Sequence, residues 1–315
     1  MKKILLSCVS ILFCIPFMAQ NGINLKMNLE KNKVYRFSSS SEQTIIQTIN
    51  GNQQTVETKT NHTLSMKMMD VTSDFMITEV HLDTMITNTN SMGKTINMSS
   101  VSEGNIKSAE TSDIISYIMN HLSKNALYIK MDFSGKVLDI VNLKMLSDLI
   151  MKDTSSMTLT GPMAYAVKTQ IKNQVSDNTL KTMVESFTKY LPTKQVSIGD
   201  NWNVTETTKS GGMALDIITT YHLDRVNGNA ANITADSDIK AAENAAPIIS
   251  GGATITYDDL KGLSKSNIII DIHTGLIIEN KAKTHIAGNM GISAPGMSMQ
   301  MPLDINGTSK VIAVP

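Results

Sequence analysis

Apolar and polar residues alternate along much of the chain from Val34 to Met98, the period of strands with one wet face. Thr44-Ile45-Ile46-Gln47-Thr48-Ile49 leads into Asn50-Gly51-Asn52, a strong hairpin turn. Leu64, Met66 and Met68 alternate with polar neighbours, and Val71-Thr72-Ser73-Asp74 then turns the chain. Met76-Ile77-Thr78-Glu79-Val80-His81-Leu82 reads as the return strand.

The period changes in the middle. Asp113 can cap a helix carrying Ile114, Ile115, Ile118, Met119 and Leu122. Leu143, Leu146, Leu149 and Ile150 form a second apolar stripe. Pro162 can open a third helix. Asp177 can cap a fourth, with Leu180, Met183, Val184, Phe187 and Leu191 on one face and Pro192 ending it. Helix is therefore expected between about 112 and 191. Strand patterning resumes at Val196 and runs to Val314, with turns at Asn227-Gly228-Asn229 and Asp271-Ile272-His273-Thr274-Gly275. Ala241 to Ala246 reads as a short helix or a loop.

The two strand-rich stretches share three landmarks in the same order. Asn32-Lys33-Val34-Tyr35-Arg36-Phe37 parallels Gly199-Asp200-Asn201-Trp202-Asn203-Val204. Val71–Asp74 parallels Val226–Asn229, and Asp132-Phe133-Ser134-Gly135 parallels Asp271–Gly275. Two similar β-units joined by a helical middle would give this order, although hairpins in general resemble one another. The expected fold is α+β: a large curved antiparallel sheet or half-barrel, with helices packed on one face.

The first twenty residues change the picture of where the protein works. Lys2 and Lys3 precede an apolar run from Ile4 to Met18 that ends near Ala19-Gln20, the layout of a secretory signal peptide. The run falls short of the roughly 20 apolar residues of a spanning helix. Cys8 and Cys14 both lie within it, so residues 21–315, read as a single domain, hold no cysteine and no disulfide. Leu5-Leu6-Ser7-Cys8 resembles a lipobox by letters, but the apolar stretch runs on past it and no lipid anchor is expected. The expected location is the periplasm, the outer membrane's surface or the exterior.

Composition narrows the partners. The chain has 28 basic and 28 acidic side chains; without Lys2 and Lys3 the balance is 26 − 28 = −2. That offers no bulk attraction for nucleic acid. Aromatics are 4% of residues, too few for the stacking platforms on which sugars and single-stranded nucleic acids rest. Nucleophile elbows, zinc-protease motifs, phosphate loops and dinucleotide fingerprints are absent, so neither enzyme activity nor a cofactor is expected.

Three patterns remain. His81–Asp83 and His222–Asp224 repeat His-Leu-Asp, which on a strand points both side chains one way; such pairs suit a metal or simply a polar strand face. Met297, Met299 and Met301 share a face if extended, and thioethers favour Cu(I). More broadly, 22 methionines suit an adaptable apolar surface for a lipid or other apolar small molecule, in a pocket between sheet and helices. A protein partner docked at a sheet edge is a further alternative.

Pro192 followed by Val196-x-Ile198-Gly199-Asp200-x-Trp202, with Asp271-x-x-Thr274-Gly275-Leu276 downstream, resembles a pattern in uncharacterised exported proteins of the Bacteroidota. Those proteins form a family of unknown function, so the resemblance implies no activity. It implies structural roles for Gly199, Asp200, Trp202, Asp271 and Gly275. The layout is also similar to the half-barrel of periplasmic lipoprotein carriers.

Overall fold

The structure is a computed structural model that describes residues 22–315 except 50, 189, 211, 212, 244, 251, 252 and 258. The leader read at residues 1–20 lies outside the described residues. The first half runs β1 (Val34–Ile49), β2 (Asn52–Val71), β3 (Met76–Ser91), β4 (Lys94–Ser99), α1 (Thr111–Ser123), β5 (Leu127–Met131) and β6 (Val137–Ile140). Three helices follow: α2 (Leu143–Asp153), α3 (Gly161–Gln174) and α4 (Asp177–Glu185). The second half runs β7 (Asn201–Ser210), β8 (Met213–Asn227), β9 (Ala230–Ala241), β10 (Ile248–Ser250), β11 (Ala253–Thr256), β12 (Lys261–Asp271), β13 (Ile277–Ala294) and β14 (Met297–Val314).

All strand pairs are antiparallel and form one open sheet in the order β6-β5-β3-β2-β1-β14-β13-β12-β9-β8-β7. β4 adds to β3, and the β10–β11 hairpin adds to β13. The two strand-rich stretches pair alike: β1-β2-β3-β5-β6 in one, β7-β8-β9-β12-β13 in the other, each skipping a short side hairpin or strand. β14 lies between them.

Eleven strands in a row would span about 48 Å if flat, at ~4.8 Å per spacing. Yet α4, nine residues and so about 13 Å long, touches both edge strands, β6 and β7. The sheet is therefore curled, and α4 bridges its edges without closing it.

The helices and the chain start fill one end of the inner face. Leu25, Met27 and Leu29 alternate inward, at 5% exposure or less. Ile114, Ile115 and Ile118 of α1, Leu146 and Ile150 of α2, Ile171 of α3 and Val184 of α4 meet Phe37, Leu64, Met66, Ile270 and Val311 of the strands. Met66, Met76 and Met131 are buried here as core, at 1% exposure or less.

Four details differ from the sequence expectation. Glu110, not Asp113, occupies the N-cap of α1; Asp113 sits in the first turn, where its charge complements the helix dipole. Ser176, not Asp177, caps α4 by accepting the Thr179 N–H at 3.3 Å, because the hydroxyl-bearing residue is the one in extended geometry. α4 ends at Glu185 rather than at Pro192: the Thr188 hydroxyl donates to the Gly135 carbonyl at 2.6 Å, and the chain leaves the helix to bury Phe187 and Leu191. Leu149 is exposed, so the α2 stripe is partly buried Leu143 with buried Leu146 and Ile150. The stretch from Ala241 leaves β9 as a loop rather than a helix, as far as its residues are described.

Candidate functional site

Register turns the strand alternation into rows across the inner face. One row reads Ala235, Ser266, Ala282, Ser309, Ser41, Thr60 and Thr87 from β9 to β3. The next reads Ser237, Ser264, Thr284, Gly307, Gln43, Thr58 and Thr89. Nearly all are small. Directly opposite hydroxyls pair: Ser41 with Thr60, Thr58 with Thr89 (3.3 Å), Ser264 with Thr284 (2.8 Å), and Thr219 of β8 with Ser237 (2.9 Å). These bonds satisfy the polar groups locally and leave small side chains as a floor.

Apolar walls flank the floor. Toward the helices stand Leu223, Ile233, Ile268 and Val311, with Asn280 between the last two and Ser39 and His62 continuing the row as polar members. On the far side Leu215, Ile239, Ile286, Leu303 and Ile305 form a second cluster, against which Ile45 and Ile217 pack. The principal helix contacts fall on β3, β4, β6 and β7, so the floor at β12, β13, β14 and β1 lies off the helical layer. The result is a trough with hydroxyls at its base and mainly aliphatic sides.

His62 projects beside this floor, opposite Ser39 and Met85. Burial holds its imidazole below the ordinary 6.5. Below pH 6.5 the unfolded chain therefore binds more protons than the folded one, so stability is complete above about 6.5 and falls as pH drops below it. Urea midpoints measured from pH 7.5 to 5 should show that fall. His62→Gln should remove its share of the slope, and an unchanged slope would dissociate His62 from it.

The opposite, outer face carries the exposed polar residues. A groove of about 620 Å³ there is lined by Lys59, Lys265, Lys281, Lys283 and Lys310 among others. The sequence reading missed this set, because only strand register brings its members together. Nor did it recognise Leu25, Met27 and Leu29 as part of the core; their alternation was the available signal.

The residues singled out in the sequence fall elsewhere. Gly199 has φ +95, and its N–H donates to the Leu223 carbonyl at 2.8 Å. Asp200 Oδ2 accepts the Ser197 N–H at 2.7 Å. The Trp202 indole stacks on Tyr221 at 5.4 Å and donates to the Tyr190 carbonyl at 3.2 Å. Asp271 Oδ1 accepts the N–H groups of His273 (3.0 Å) and Thr274 (2.8 Å), and Gly275 follows at φ +71. Asp132 holds Ser134 and Lys136 likewise, and Gly135 follows at φ +86. The chain start threads between these two turns: the Met27 N–H donates to Phe133 O, and Asn28 N–H to Thr274 O. Burial raises the Tyr190 and Tyr221 phenols, which remain neutral.

Of the His-Leu-Asp pairs, the first separates and the second stays within ion-pair reach. His81 meets Glu79 at 3.1 Å while Asp83 accepts from Ser65; His222 meets Asn201 at 2.8 Å, with Asp224 at 3.7 Å. Among the described residues no three His, Cys, Asp or Glu side chains group to hold a metal ion. Met297, Met299 and Met301 share the inner face as alternation requires, but their exposure runs from half-exposed Met297 to buried Met301, which lies opposite Met290.

Residues 73–277, about two thirds of the chain, match a family described as Family of unknown function (DUF6263). The chain belongs to this family. The DUF6263 match runs from the β2–β3 turn to the start of β13, so it includes the helical layer but leaves β1, β2 and β14 outside. No curated protein matches the DUF6263 chain in sequence. Among solved structures, one reporting lipid–protein interactions in lipovitellin is 11% identical, with a TM-score of 0.46; it covers 91% of this chain, which spans 26% of the lipovitellin chain. An outer membrane channel from Pseudomonas putida F1 is 7% identical at a TM-score of 0.27, covering 91% and 97% of the two chains. A putative outer membrane lipoprotein-sorting protein domain from Vibrio parahaemolyticus is 8% identical at 0.11, covering 88% and 83%. Among the described residues no helix is long and apolar enough to cross a membrane.

Proposed function

We propose that this DUF6263 protein is an exported, non-enzymatic binding protein that holds an apolar or amphiphilic small molecule, such as a lipid, in the trough of its curled sheet. One observation carries the reading: two rows of small residues run across the middle strands off the helical layer, flanked by an aliphatic row on the far side and, toward the helices, by a mixed row of Leu223, Ile233, Ile268, Asn280, Val311, Ser39 and His62. Small side chains leave volume above a sheet. Aliphatic walls gain free energy by covering an acyl chain, at about 25 cal/mol per Å² removed from water. Hydroxyls on the floor serve a polar head group.

This differs from the pocket expected between sheet and helices. There Met66, Met76 and Met131 pack as solid core. The similar pairing order of the two strand-rich stretches supports their origin as two copies of one unit, which the trough crosses. The basic start and apolar run of residues 2–18, read as a signal peptide, support export. For the edge-docking alternative, α4 already contacts both β6 and β7. The copper alternative rests on three methionines of unequal exposure.

Gly307 supplies the test. A Cβ there would meet the Glu42 carbonyl at 3.8 Å, an ordinary contact, so a larger side chain fits the backbone and fills the trough. Gly307→Phe should weaken binding of the fluorescent fatty acid cis-parinaric acid about tenfold, equivalent to ~1.4 kcal/mol, while the protein melts normally. Equal affinity in both proteins would refute the trough as the site.

A further inference from the structure

We infer that the outer face carries a second site, a groove for a compact, multiply phosphorylated small molecule. The lysines project from the opposite side of the sheet to the trough, although Ser41, Ala282 and Ser309 of the trough's floor also border the groove. Its basis is a charge arrangement that the fold alone does not favour. Lys265 of β12 stands directly opposite Lys283 of β13, and Lys281 of β13 directly opposite Lys310 of β14. Like charges at directly opposed positions destabilise a strand pair. Here two such pairs occupy adjacent rows of one groove, joined by Lys59 on β2.

The local acids do not balance them. Glu279 lies 2.7 Å from Lys281 and 3.7 Å from Lys310, Asp236 3.5 Å from Lys265, and Glu42 2.9 Å from Lys59. With Glu57, whose charge also acts on Lys59, that is four negative charges against five positive. Lys283 has no acidic partner among the described residues. In a chain whose basic and acidic residues are equal in number, this excess is local.

The lining also defines the ligand's chemistry. Lysine is a point-charge binder of phosphate, and Thr308, Asn61 and Asn267 add neutral donors beside the amines. Among the described residues no aromatic side chain lines the groove, which gives a base or sugar ring no platform there. A recess of about 620 Å³ suits a compact anion rather than a flat bilayer.

The test uses the full mature chain and sodium tripolyphosphate at low ionic strength, read by calorimetric titration and by melting temperature. Sodium chloride matched in ionic strength is the reference. The expected result is saturable binding and a melting-temperature rise larger than the salt gives. The variant Lys281→Gln/Lys283→Gln should melt at or above the wild-type temperature without ligand, because repulsion is relieved, and should bind tripolyphosphate at least tenfold more weakly. Should that variant not fold, Lys310→Gln alone serves the same comparison. A shift no larger than the salt reference, wild-type affinity in the variants, or binding to phosphatidic acid vesicles without binding to tripolyphosphate would overturn the inference.

Discussion

Gly275→Ala should destabilise the protein by about 2–5 kcal/mol, more than any surface substitution, with urea unfolding as the measurement. Two costs combine. The backbone at Gly275 has φ +71, where a residue with a Cβ is disfavoured by about 1–2 kcal/mol. The added Cβ would also lie 2.4 Å from the Lys26 carbonyl oxygen and 2.9 Å from the Met27 N. The chain start must then move, and with it the Asn28–Thr274 hydrogen bond and the buried Met27 side chain. Such overpacking adds about 1–3 kcal/mol. Gly51→Ala is the internal control. Its φ is +78 but nothing lies within 4 Å of the new Cβ, so it should cost only about 1–2 kcal/mol. Equal effects at the two positions would show that the docked chain start contributes nothing to the Gly275 cost.

Phe187→Ala should cost about 3–5 kcal/mol, the usual range for deleting a buried ring. Phe187 is 1% exposed and lies where the chain leaves α4; its ring centroid is 6.1 Å from that of Phe37 on β1, with planes tilted 46°. The contact joins the helical layer to a strand outside the family-matched span. In a double-mutant cycle with Phe37→Ala, a coupling of about 0.5–1.5 kcal/mol is expected. Zero coupling would mean that the two rings stabilise the fold independently and that the contact is incidental.

What the sequence made legible follows from how local each signal is. Alternation at Leu64, Met66 and Met68 is a property of one strand, and those side chains do face the core. The stripe Ile114, Ile115, Ile118 is likewise a property of one helix. Helix ends were less legible, because a cap depends on which residue takes extended geometry: Ser176 and Asp177 are both good capping residues, and the chain chose the serine. The end of α4 depended on Thr188 reaching Gly135, 53 positions away. The candidate surfaces were not legible. Ser41, Ser309, Ala282 and Ser266 become one row, and Lys265, Lys281, Lys283 and Lys310 one groove, only when the register of β1, β12, β13 and β14 is known. Hydrophobic alternation fixes which face a side chain takes, but not which neighbour it meets.

The trough is the centre of this account, and its occupant is the most direct test. The protein should be expressed from its full sequence, residues 1–315, purified without detergent, and extracted with organic solvent for mass spectrometry. The account predicts acyl lipid or a comparable apolar molecule at near-stoichiometric amounts, reduced in the Gly307→Phe protein. A natively purified wild-type protein that yields no apolar molecule, and whose affinity for cis-parinaric acid is unchanged by Gly307→Phe, would contradict it.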